Sequence, residues 1–310
     1  MARWNREDIP DQSGRTVLIT GANSGLGLRS AEALATAGAK VLLGCRNATK
    51  AAVALDAVKA VATGAPPEVV SIDLADLDSV KAAAEQVDGM VDRLDVLMNN
   101  AGVMAIPLNR TAQGFEAQLG TNHLGHFALT GRLLPALLRA DAPRVVTTSS
   151  HAHRVGKMHW DDLNWERGYK RWGAYGQSKL ANLLFMRELD RRATAHETAL
   201  LSAAAHPGYA ATHLQSVGSE MSGRKLAGRV MGVGNRVVAQ SDATGALPQL
   251  YAATMPDVKG GEYFGPDRLF ENRGHPKRVG STSRSRREAD ARRLWEVSEE
   301  LTGVTYPWPG

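Results

Sequence analysis

The sequence contains very little cysteine, because Cys45 is the only one among 310 residues. A single cysteine cannot form an intramolecular disulfide bond, and its place in an apolar run predicts a buried thiol. The chain also lacks an apolar run long enough to span a membrane, a secretory signal and an internal repeat. Its 43% hydrophobic content is ample for a core. These features favour a cytoplasmic protein that folds as one domain.

Positive charge is concentrated late in the chain, and the formal net charge is +5. A basic cluster can bind nucleic acid or anionic lipid. Residues 284–301, however, also carry acidic side chains, and their apolar residues recur at helical spacing. We therefore interpret this segment as an amphipathic helix packed on the domain or on a partner subunit. This interpretation leaves a homo-oligomer open and argues against nucleic-acid binding.

A glycine-rich turn near the N-terminus is the first motif with a chemical meaning. The apolar run Thr16–Thr20 predicts a buried strand, and helical spacing begins at Gly25. A strand, a glycine-rich turn and a helix in this order can bind a dinucleotide phosphate at free backbone N–H groups. An ordinary glycine loop is the alternative, which this context disfavours. The candidate cofactor-binding residues of the turn are Gly21, Asn23, Ser24, Gly25, Leu26 and Gly27.

The second predicted strand, Lys40–Cys45, ends without the acidic residue that would bind the 2′-hydroxyl of NAD. Arg46 follows it instead, and Lys50 stands one helical turn further along. A guanidinium group suits a phosphate, so the 2′-phosphate of NADP is its natural partner. A solvated Arg-Lys surface at a helix start is the alternative. We predict NADP(H) and keep NAD(H) as the second choice.

Strands and helices alternate through the N-terminal half of the chain. Residues 68–72 and 94–98 are the third and fourth predicted strands, and polar residues follow both. This alternation predicts an α/β fold, with a parallel sheet that has helices on both faces. Because ligands bind such sheets at the carboxyl ends of the strands, the motifs found so far fall where a ligand is expected.

A second motif lies in the middle of the chain. The strand predicted at Arg144–Thr148 is followed by Ser150, and apolar spacing predicts a helix over 175–189. On this helix, Tyr175 and Lys179 lie one turn apart on one face. A nearby ammonium group favours the phenolate, so Tyr175 can exchange a proton with an alcohol or carbonyl. The Ser150 hydroxyl can stabilise the same oxygen. Each residue alone could stand there by chance, but their joint order favours catalysis.

The ordered set of motifs resembles the short-chain dehydrogenase/reductase family. The matching residues are the turn at 20–27, Asp73-Leu74, Asn99-Asn100-Ala101-Gly102, Asn122, Ser150, Tyr175, Lys179 and Pro207-Gly208. Finer similarity points to the branch of retinol-dehydrogenase-type and WW-domain-oxidoreductase-type members. It lies in Cys45-Arg46-Asn47, Ser149-Ser150-His151-Ala152-His153, Ser178-Lys179-Leu180-Ala181-Asn182 and His206-Pro207-Gly208.

The resemblance implies a fold, a reaction and roles for individual residues. It implies a Rossmann-type doubly wound parallel sheet of about seven strands in a single domain, 1–310, that transfers hydride with a nicotinamide. The implied catalytic residues are Asn122, Ser150, Tyr175 and Lys179. By the same resemblance, Lys179 also binds the nicotinamide ribose and Asn122 anchors a water of a proton relay. The implied cofactor-binding residues outside the glycine turn are Arg46, Asp73, Leu74, Asn100, Ala101, Gly102, Tyr175, Lys179, Pro207, Gly208 and Thr212.

Three further segments receive an interpretation. By resemblance, 213–240 is a substrate lid, and 275–310 forms a C-terminal extension. The stretch between Ser150 and Tyr175 is rich in Trp and His, and it either lines the substrate entrance or pins a surface loop to the core. No Cys or carboxylate cluster completes a tetrahedral site with its histidines, so we predict no metal. These histidines are His151, His153 and His159.

The sequence therefore predicts an NADP(H)-dependent oxidoreductase for a hydrophobic small-molecule alcohol or carbonyl, with a tyrosine as acid and base. An NAD-dependent dehydrogenase of the same fold and a nucleotide-binding redox sensor with little catalysis are the alternatives. Residues 1–15 are polar and charged, unlike the apolar N-terminal anchor of membrane-bound retinol dehydrogenases. The motifs name neither the substrate nor the preferred direction.

Overall fold

Eight strands form one sheet in the computed structural model, which describes residues 3–208 and 240–309. The strand order is β3-β2-β1-β4-β5-β6-β7-β8, in which the first seven strands are parallel and β8 is antiparallel to β7. The strands are β1 (Thr16–Thr20), β2 (Lys40–Cys45), β3 (Glu68–Ser71), β4 (Val96–Asn99), β5 (Arg144–Thr148), β6 (Leu201–Ala205), β7 (Tyr263–Arg268) and β8 (Arg273–Arg278).

Helices connect the parallel strands and cover both faces of the sheet. The described α-helices are α1 (Gly25–Thr36), α2 (Ala48–Lys59), α3 (Leu77–Met90), α4 (Ala117–Leu119), α5 (Gly125–Leu138), α6 (Arg171–Ala195), α7 (Asp242–Thr254) and α8 (Glu288–Thr302). A π-helical stretch, Gly120–Leu124, joins α4 to α5. Short 3₁₀ helices lie at Arg6–Asp8, His151–Arg154 and Arg284–Arg286.

Alternate residues of the inner strands point to opposite faces of the sheet. In β1, Val17 and Ile19 belong to one core, whereas Leu18 belongs to the other. Helices α1, α2 and α7 pack on the first face, and α3, α5 and α6 pack on the second. Because helices cover both faces, the inner strands are apolar throughout, and all five residues of β1 are buried.

The predicted α/β fold with a doubly wound parallel sheet is confirmed, and the strand count differs by one. The additional strand is β8, which pairs antiparallel at the edge of the sheet. Its sequence is charged and contains Pro276, so no apolar run marks it. The predicted bounds of β1, β2 and β5 agree with the structure. Helix α6 extends beyond the predicted 175–189 at both ends. The middle of the helix is buried on nearly all sides and shows little apolar periodicity, so no sequence pattern marked where the helix begins and ends.

The late basic segment forms helix α8, which packs on its own domain. The Trp295 ring lies 5.0 Å from Phe127 and stacks on Phe185 at 6.0 Å. The guanidinium of Arg192 lies 4.4 Å from the centre of the same indole. The apolar face of α8 therefore lies against α5 and α6, while Arg292 and Arg293 are exposed.

Three other expectations concern the single cysteine, membrane-spanning helices and the segments outside the central sheet. Cys45 is buried and has no disulfide, as predicted. No helix in the described ranges is long and apolar enough to cross a bilayer. The segment assigned as a lid, 213–240, lies outside the described residues except for Gln240, so the lid stays a prediction, as do the single-domain limits and the C-terminal extension.

Candidate active site

The glycine-rich turn joins β1 to α1 at the carboxyl edge of the sheet. Gly21 and Gly25 have positive φ angles of 68° and 54°, which side chains rarely allow. A Cβ atom on Gly27 would lie 2.3 Å from the carbonyl oxygen of Gly21, so the turn and the helix require glycine there. Ser24 is the N-cap of α1 but makes no side-chain cap hydrogen bond. The backbone N–H groups and the positive dipole end of α1 can therefore receive a pyrophosphate.

The loop after β4 is held against this turn by hydrogen bonds. The side-chain amide of Asn100 donates to the Thr20 carbonyl oxygen at 2.8 Å. The backbone N–H groups of Asn100 and Ala101 donate to the Thr20 hydroxyl oxygen, each at 3.0 Å. A Cβ on Gly102 would lie 2.9 Å from Asn122 Oδ1, so the same loop also reaches the catalytic end.

Arg46 lies at the end of β2, and its side chain is 72% exposed. Its Nη1 is 3.5 Å from Asp73 Oδ2, which follows β3. Leu74, the residue after Asp73, is buried, and Lys50 is exposed in the first turn of α2. An exposed ion pair contributes little to stability, so the Arg46 guanidinium can exchange Asp73 for a stronger anionic partner such as a phosphate.

Ser150, Tyr175 and Lys179 lie together at the ends of β5 and α6. The Tyr175 phenol interacts with the Ser150 hydroxyl, which also accepts a hydrogen bond from the N–H of Ala152 at 3.2 Å. Lys179 Nζ lies 5.8 Å from the centre of the Tyr175 ring and donates to the Thr148 carbonyl oxygen at 3.1 Å. Both Tyr175 and Lys179 are buried. The structure thus brings a phenol, a hydroxyl and an ammonium group into one buried cluster.

Burial controls the protonation of this cluster. It raises the pKa of Tyr175 to about 12, and the hydrogen bond with Ser150 offsets only part of this effect. It lowers the pKa of Lys179 to about 8. The protein groups alone therefore hold the phenol protonated at neutral pH, and the lysine does not lower its pKa as the sequence suggested. A protonated phenol is the form that can donate a proton to a carbonyl.

Asn122 lies in the π-helical stretch between α4 and α5, a local geometry that often occurs at functional sites. Its Oδ1 accepts from the N–H of Val103 at 2.7 Å. Its Nδ2 donates to the Val103 carbonyl oxygen and to Ser178 Oγ, both at 2.9 Å. These bonds fix the Asn122 side chain between the loop after β4 and helix α6, beside the catalytic cluster.

The turn after β6 completes the described part of the site. Gly208 has φ of 67°, and its N–H donates to His206 Nδ1 at 3.2 Å. Gln240 donates a hydrogen bond to the Pro207 carbonyl oxygen. Thr212, predicted to bind the nicotinamide end, lies outside the described residues. All the described site residues come from strand ends, loops and helix starts at the carboxyl edge of the sheet; their individual roles stay predictions.

Two tryptophans between Ser150 and Tyr175 divide between the two functions left open by the sequence. Trp165 is buried, and its ring centre lies 4.5 Å from that of His159 and 6.1 Å from that of Tyr169, so it pins the loop. Trp172 is 58% exposed, and its ring stands edge-on to Tyr175 at 6.1 Å. Trp172 therefore lines the approach to the candidate catalytic tyrosine.

One cluster in the described ranges brings together three side chains of the kind that bind metals: His151, His206 and Glu271. The Nε2 atoms of His151 and His206 lie 3.4 and 3.6 Å from Glu271 Oε2. Arg154 Nη2 reaches the same oxygen at 3.0 Å. His206 Nδ1 accepts from Gly208, so the ring proton lies on Nε2 and faces Glu271. This arrangement fits a polar network around the Arg154–Glu271 ion pair, which joins the β7–β8 hairpin to the turns after β5 and β6. The prediction of no metal site stays a prediction.

Sequence reasoning missed several residues that support the site. Glu271 and Gln249 are examples, since Gln249 Nε2 reaches Ser30 Oγ at 2.8 Å and Asn100 Oδ1 at 3.2 Å. These partners are far apart in sequence, and no spacing pattern links them. His126 was also missed, although both of its ring nitrogens contact site segments.

Comparison with known proteins agrees with this geometry. The family model described as short chain dehydrogenase matches residues 15–222. The chain is 40% identical to Retinol dehydrogenase 14 of Mus musculus over 304 residues, covering 94% of this chain and 86% of that protein. It is 38% identical to Retinol dehydrogenase 12 of Mus musculus over 295 residues, covering 94% and 88% of the two chains.

Solved structures give the same result. An uncharacterised protein from Mycobacterium paratuberculosis superposes with a TM-score of 0.81 at 42% identity, covering 99% of this chain and all of that one. A protein described as a short chain dehydrogenase of Shigella flexneri, complexed with NADP, superposes with a TM-score of 0.63 at 25% identity over 81% of this chain and 96% of that chain. The chain therefore belongs to the short-chain dehydrogenase family, as a retinol-dehydrogenase-like oxidoreductase that acts on CH–OH groups with a nicotinamide cofactor.

Proposed function

We propose that this protein is an NADP(H)-dependent oxidoreductase that interconverts a hydrophobic alcohol and its carbonyl, with Tyr175 as the acid and base. One observation carries this proposal: the cluster of the buried Tyr175 and Lys179 with the half-buried Ser150 lies at the same sheet edge as a glycine turn that can receive a pyrophosphate. A cytoplasmic location stays a prediction.

The cofactor-binding residues of the proposal follow from this geometry. The start of α1 would hold the pyrophosphate, and the loop at Asn100 and Gly102 would border the adenosine and the nicotinamide ribose. Arg46 would bind the 2′-phosphate, for which the sequence offers no competing acid at the end of β2. When bound, the nicotinamide supplies or accepts the hydride. The Shigella flexneri structure with NADP supports this choice, because it shares the fold at 25% identity.

The protein groups supply the proton chemistry. In the reducing direction, the Tyr175 phenol gives its proton to the carbonyl oxygen, while the Ser150 hydroxyl stabilises the charge developing there. Lys179 would bind the nicotinamide ribose beside the phenol, as the family resemblance implies, since in the protein alone it does not lower the pKa of Tyr175. In the oxidising direction the phenolate takes the alcohol proton. The raised pKa keeps Tyr175 protonated at neutral pH, which is the form that the reducing direction requires.

An apolar approach to the site supports a hydrophobic substrate. Seven large apolar side chains are exposed in the described part of the chain, and five of them lie on loops or helix starts at the carboxyl edge of the sheet. These five are Leu108, Val155, Trp172, Leu269 and Phe270. Exposed apolar residues grouped near a site are typical of a surface that meets an apolar ligand. The similarity to retinol dehydrogenases also supports a hydrophobic alcohol.

A binding and turnover experiment tests the proposal. Dissociation constants for NADPH and NADH are measured with the purified protein, followed by a screen of short and long aldehydes, ketones and retinoids with both cofactors. We expect tighter NADPH binding and turnover of apolar carbonyls. Cofactor binding without turnover of any carbonyl or alcohol would instead identify a redox sensor, and equal affinity for both cofactors would contradict the NADP assignment.

A further inference from the structure

His126 in helix α5 joins two parts of the site that the sequence treats separately. The residue is 1% exposed, and both nitrogens of its ring have partners. Nδ1 lies 3.0 Å from the backbone carbonyl oxygen of Asn122, and Nε2 lies 2.9 Å from Thr20 Oγ1. Asn122 belongs to the π-helical stretch, whereas Thr20 ends β1 at the glycine turn.

The partners determine the tautomer of His126. A carbonyl oxygen only accepts hydrogen bonds, so Nδ1 must carry the proton. Burial lowers the pKa of His126 to about 4, and the Lys179 ammonium acts in the same direction, so the ring is neutral at pH 7. Nε2 therefore accepts a hydrogen bond from the Thr20 hydroxyl. This assignment agrees with the 2.9 Å contact being shorter than the 3.3 Å distance from Thr20 Oγ1 to the Met98 carbonyl oxygen.

These bonds form one directed chain across the site. The N–H groups of Asn100 and Ala101 donate to the Thr20 hydroxyl, each at 3.0 Å, and this hydroxyl donates to His126. His126 then donates to the carbonyl of Asn122. The loop after β4, the end of β1 and the π-helical stretch are thus linked through a single imidazole.

We propose that His126 is a positioning residue that fixes the Asn122 backbone relative to the two loops that border the cofactor. The inference rests on the proposed function for its kinetic part. It adds a residue that acts through Asn122 and Thr20 and itself touches neither substrate nor cofactor. Its effect is geometric, because small displacements of reacting groups can lower rates by large factors.

His123 provides a matched control one turn earlier. It is also a buried imidazole next to the same helix, and burial lowers its pKa to about 3. Its Nε2 lies 2.8 Å from Ser298 Oγ in helix α8, and its ring packs against Phe127 and Phe185. His123 belongs to the same π-helical stretch as Asn122, but these side-chain contacts lead towards α8, so its loss should affect packing and leave the hydrogen bonds between Thr20, His126 and Asn122 in place.

The test compares four variants of the full-length protein. His126→Leu removes both bonds, whereas His126→Asn keeps a donor near the Nδ1 position and His126→Gln keeps an acceptor near the Nε2 position. His123→Leu is the control. Each protein is measured for thermal stability, for NADPH dissociation constant and for kcat and KM with an apolar aldehyde that the wild-type protein reduces.

We expect His126→Leu to lower kcat by about 10- to 100-fold and to raise the NADPH dissociation constant by about fivefold, since both buried partners lose a hydrogen bond. His126→Gln keeps the acceptor towards Thr20, so it should restore mainly the NADPH affinity. His126→Asn keeps the donor towards Asn122, so it should restore mainly kcat. His123→Leu should lower stability while its kcat and NADPH affinity remain within about twofold of wild type.

Two results would overturn the inference. One is that His126→Leu and His123→Leu lower kcat equally, and the other is that the Asn and Gln variants give no selective rescue. If His126→Leu does not fold, the Asn and Gln variants decide the matter by the same criteria. If the wild-type protein turns over no substrate, the proposed function fails, and the NADPH affinities of the four variants still test the structural link.

Discussion

Tyr175 and Lys179 are only 5% and 4% exposed at the proposed catalytic end of the site, whereas 72% of the Arg46 side chain is exposed at the proposed adenosine end. The two ends lie at one edge of one sheet, yet different physical effects govern them. Burial sets the protonation of Tyr175 and Lys179. Water and dissolved ions surround Arg46, so its interactions are screened.

Substitutions at the two ends of the site should therefore have different effects. A substitution at the catalytic end changes packing, desolvation and proton transfer together, because the groups are enclosed by α6 and the turn after β5. A substitution at Arg46 changes little in the folded protein, since an exposed ion pair with Asp73 contributes little stability. Catalysis and stability should therefore be coupled at one end, and cofactor choice should vary independently at the other.

The largest effect is expected at Tyr175. Tyr175→Phe keeps the ring in place and removes the proton donor, so turnover should fall by at least ~10²-fold while NADPH affinity changes little. Steady-state kinetics and a binding titration measure both quantities. Turnover close to that of the wild-type protein would show that another group supplies the proton.

The next effect concerns cofactor choice. Arg46→Asp should weaken NADPH binding by roughly 10- to 100-fold and leave NADH binding unchanged or better, because a charge-assisted bond to the 2′-phosphate is lost. Lys59→Asp, at the far end of α2, is a control with the same change in charge. The wild-type preference for NADPH should also shrink at high salt. Equal losses in the two variants would mean that net charge alone matters.

A third prediction concerns the stability cost of the buried lysine. The pKa of Lys179 falls from its usual 10.5 to about 8 in the folded protein, so folding favours its neutral form. Below pH 8 both states hold the proton, and the full penalty applies, up to about 3 kcal/mol. Between pH 8 and about 10.5 the unfolded chain binds more protons, so stability rises with pH and the penalty disappears.

Lys179→Met should therefore raise the melting temperature by a few degrees at pH 7, while abolishing most activity. The Thr148 carbonyl keeps a hydrogen bond from Asn182 Nδ2 at 2.9 Å, so the substitution leaves no unsatisfied acceptor there. The gain over wild type should shrink as the pH rises from 8 to 10. Melting curves across this range measure it, and a gain that does not depend on pH would rule out desolvation as its cause.

The smallest effect is expected at Trp172, at the solvent edge of the catalytic end. Trp172→Ala should raise KM for long apolar aldehydes by about three- to tenfold, because an apolar contact is lost. It should leave kcat and KM for short aldehydes nearly unchanged. Trp165→Phe, in the pinned loop before α6, serves as a comparison in which stability changes more than KM. An equal rise in KM for short and long aldehydes would indicate that Trp172 contributes to packing and does not contact the apolar part of the substrate.

Local signals explain how much of the fold was predictable. The bounds of β1 and β2 were predicted because each is an apolar run closed by glycine or charge, and α1 follows directly from the glycine turn. The strand β8 was not predicted, since its charged residues carry no apolar pattern. The hairpin before it contains Leu269, Phe270 and Glu271 at positive φ angles, although no glycine marks these positions.

The candidate site shows the same limit. Ser150, Tyr175 and Lys179 were found because two of them share one helix and the third ends a strand at a recognisable distance. His126 was not found, because its partner Thr20 is brought near it only by the tertiary fold. A lysine–tyrosine spacing also suggests a lowered tyrosine pKa, and only the burial of both groups shows that desolvation dominates.

Deuterium transfer distinguishes hydride transfer by this protein from cofactor binding alone. The protein is supplied with NADPH that carries deuterium at the transferable position, together with an apolar aldehyde, and the alcohol product is analysed by mass spectrometry and NMR. The account predicts deuterium on the former carbonyl carbon with the wild-type protein, and at least ~10²-fold slower incorporation with Tyr175→Phe. Absence of deuterium from the product of every aldehyde and ketone tried, despite bound NADPH, would contradict it.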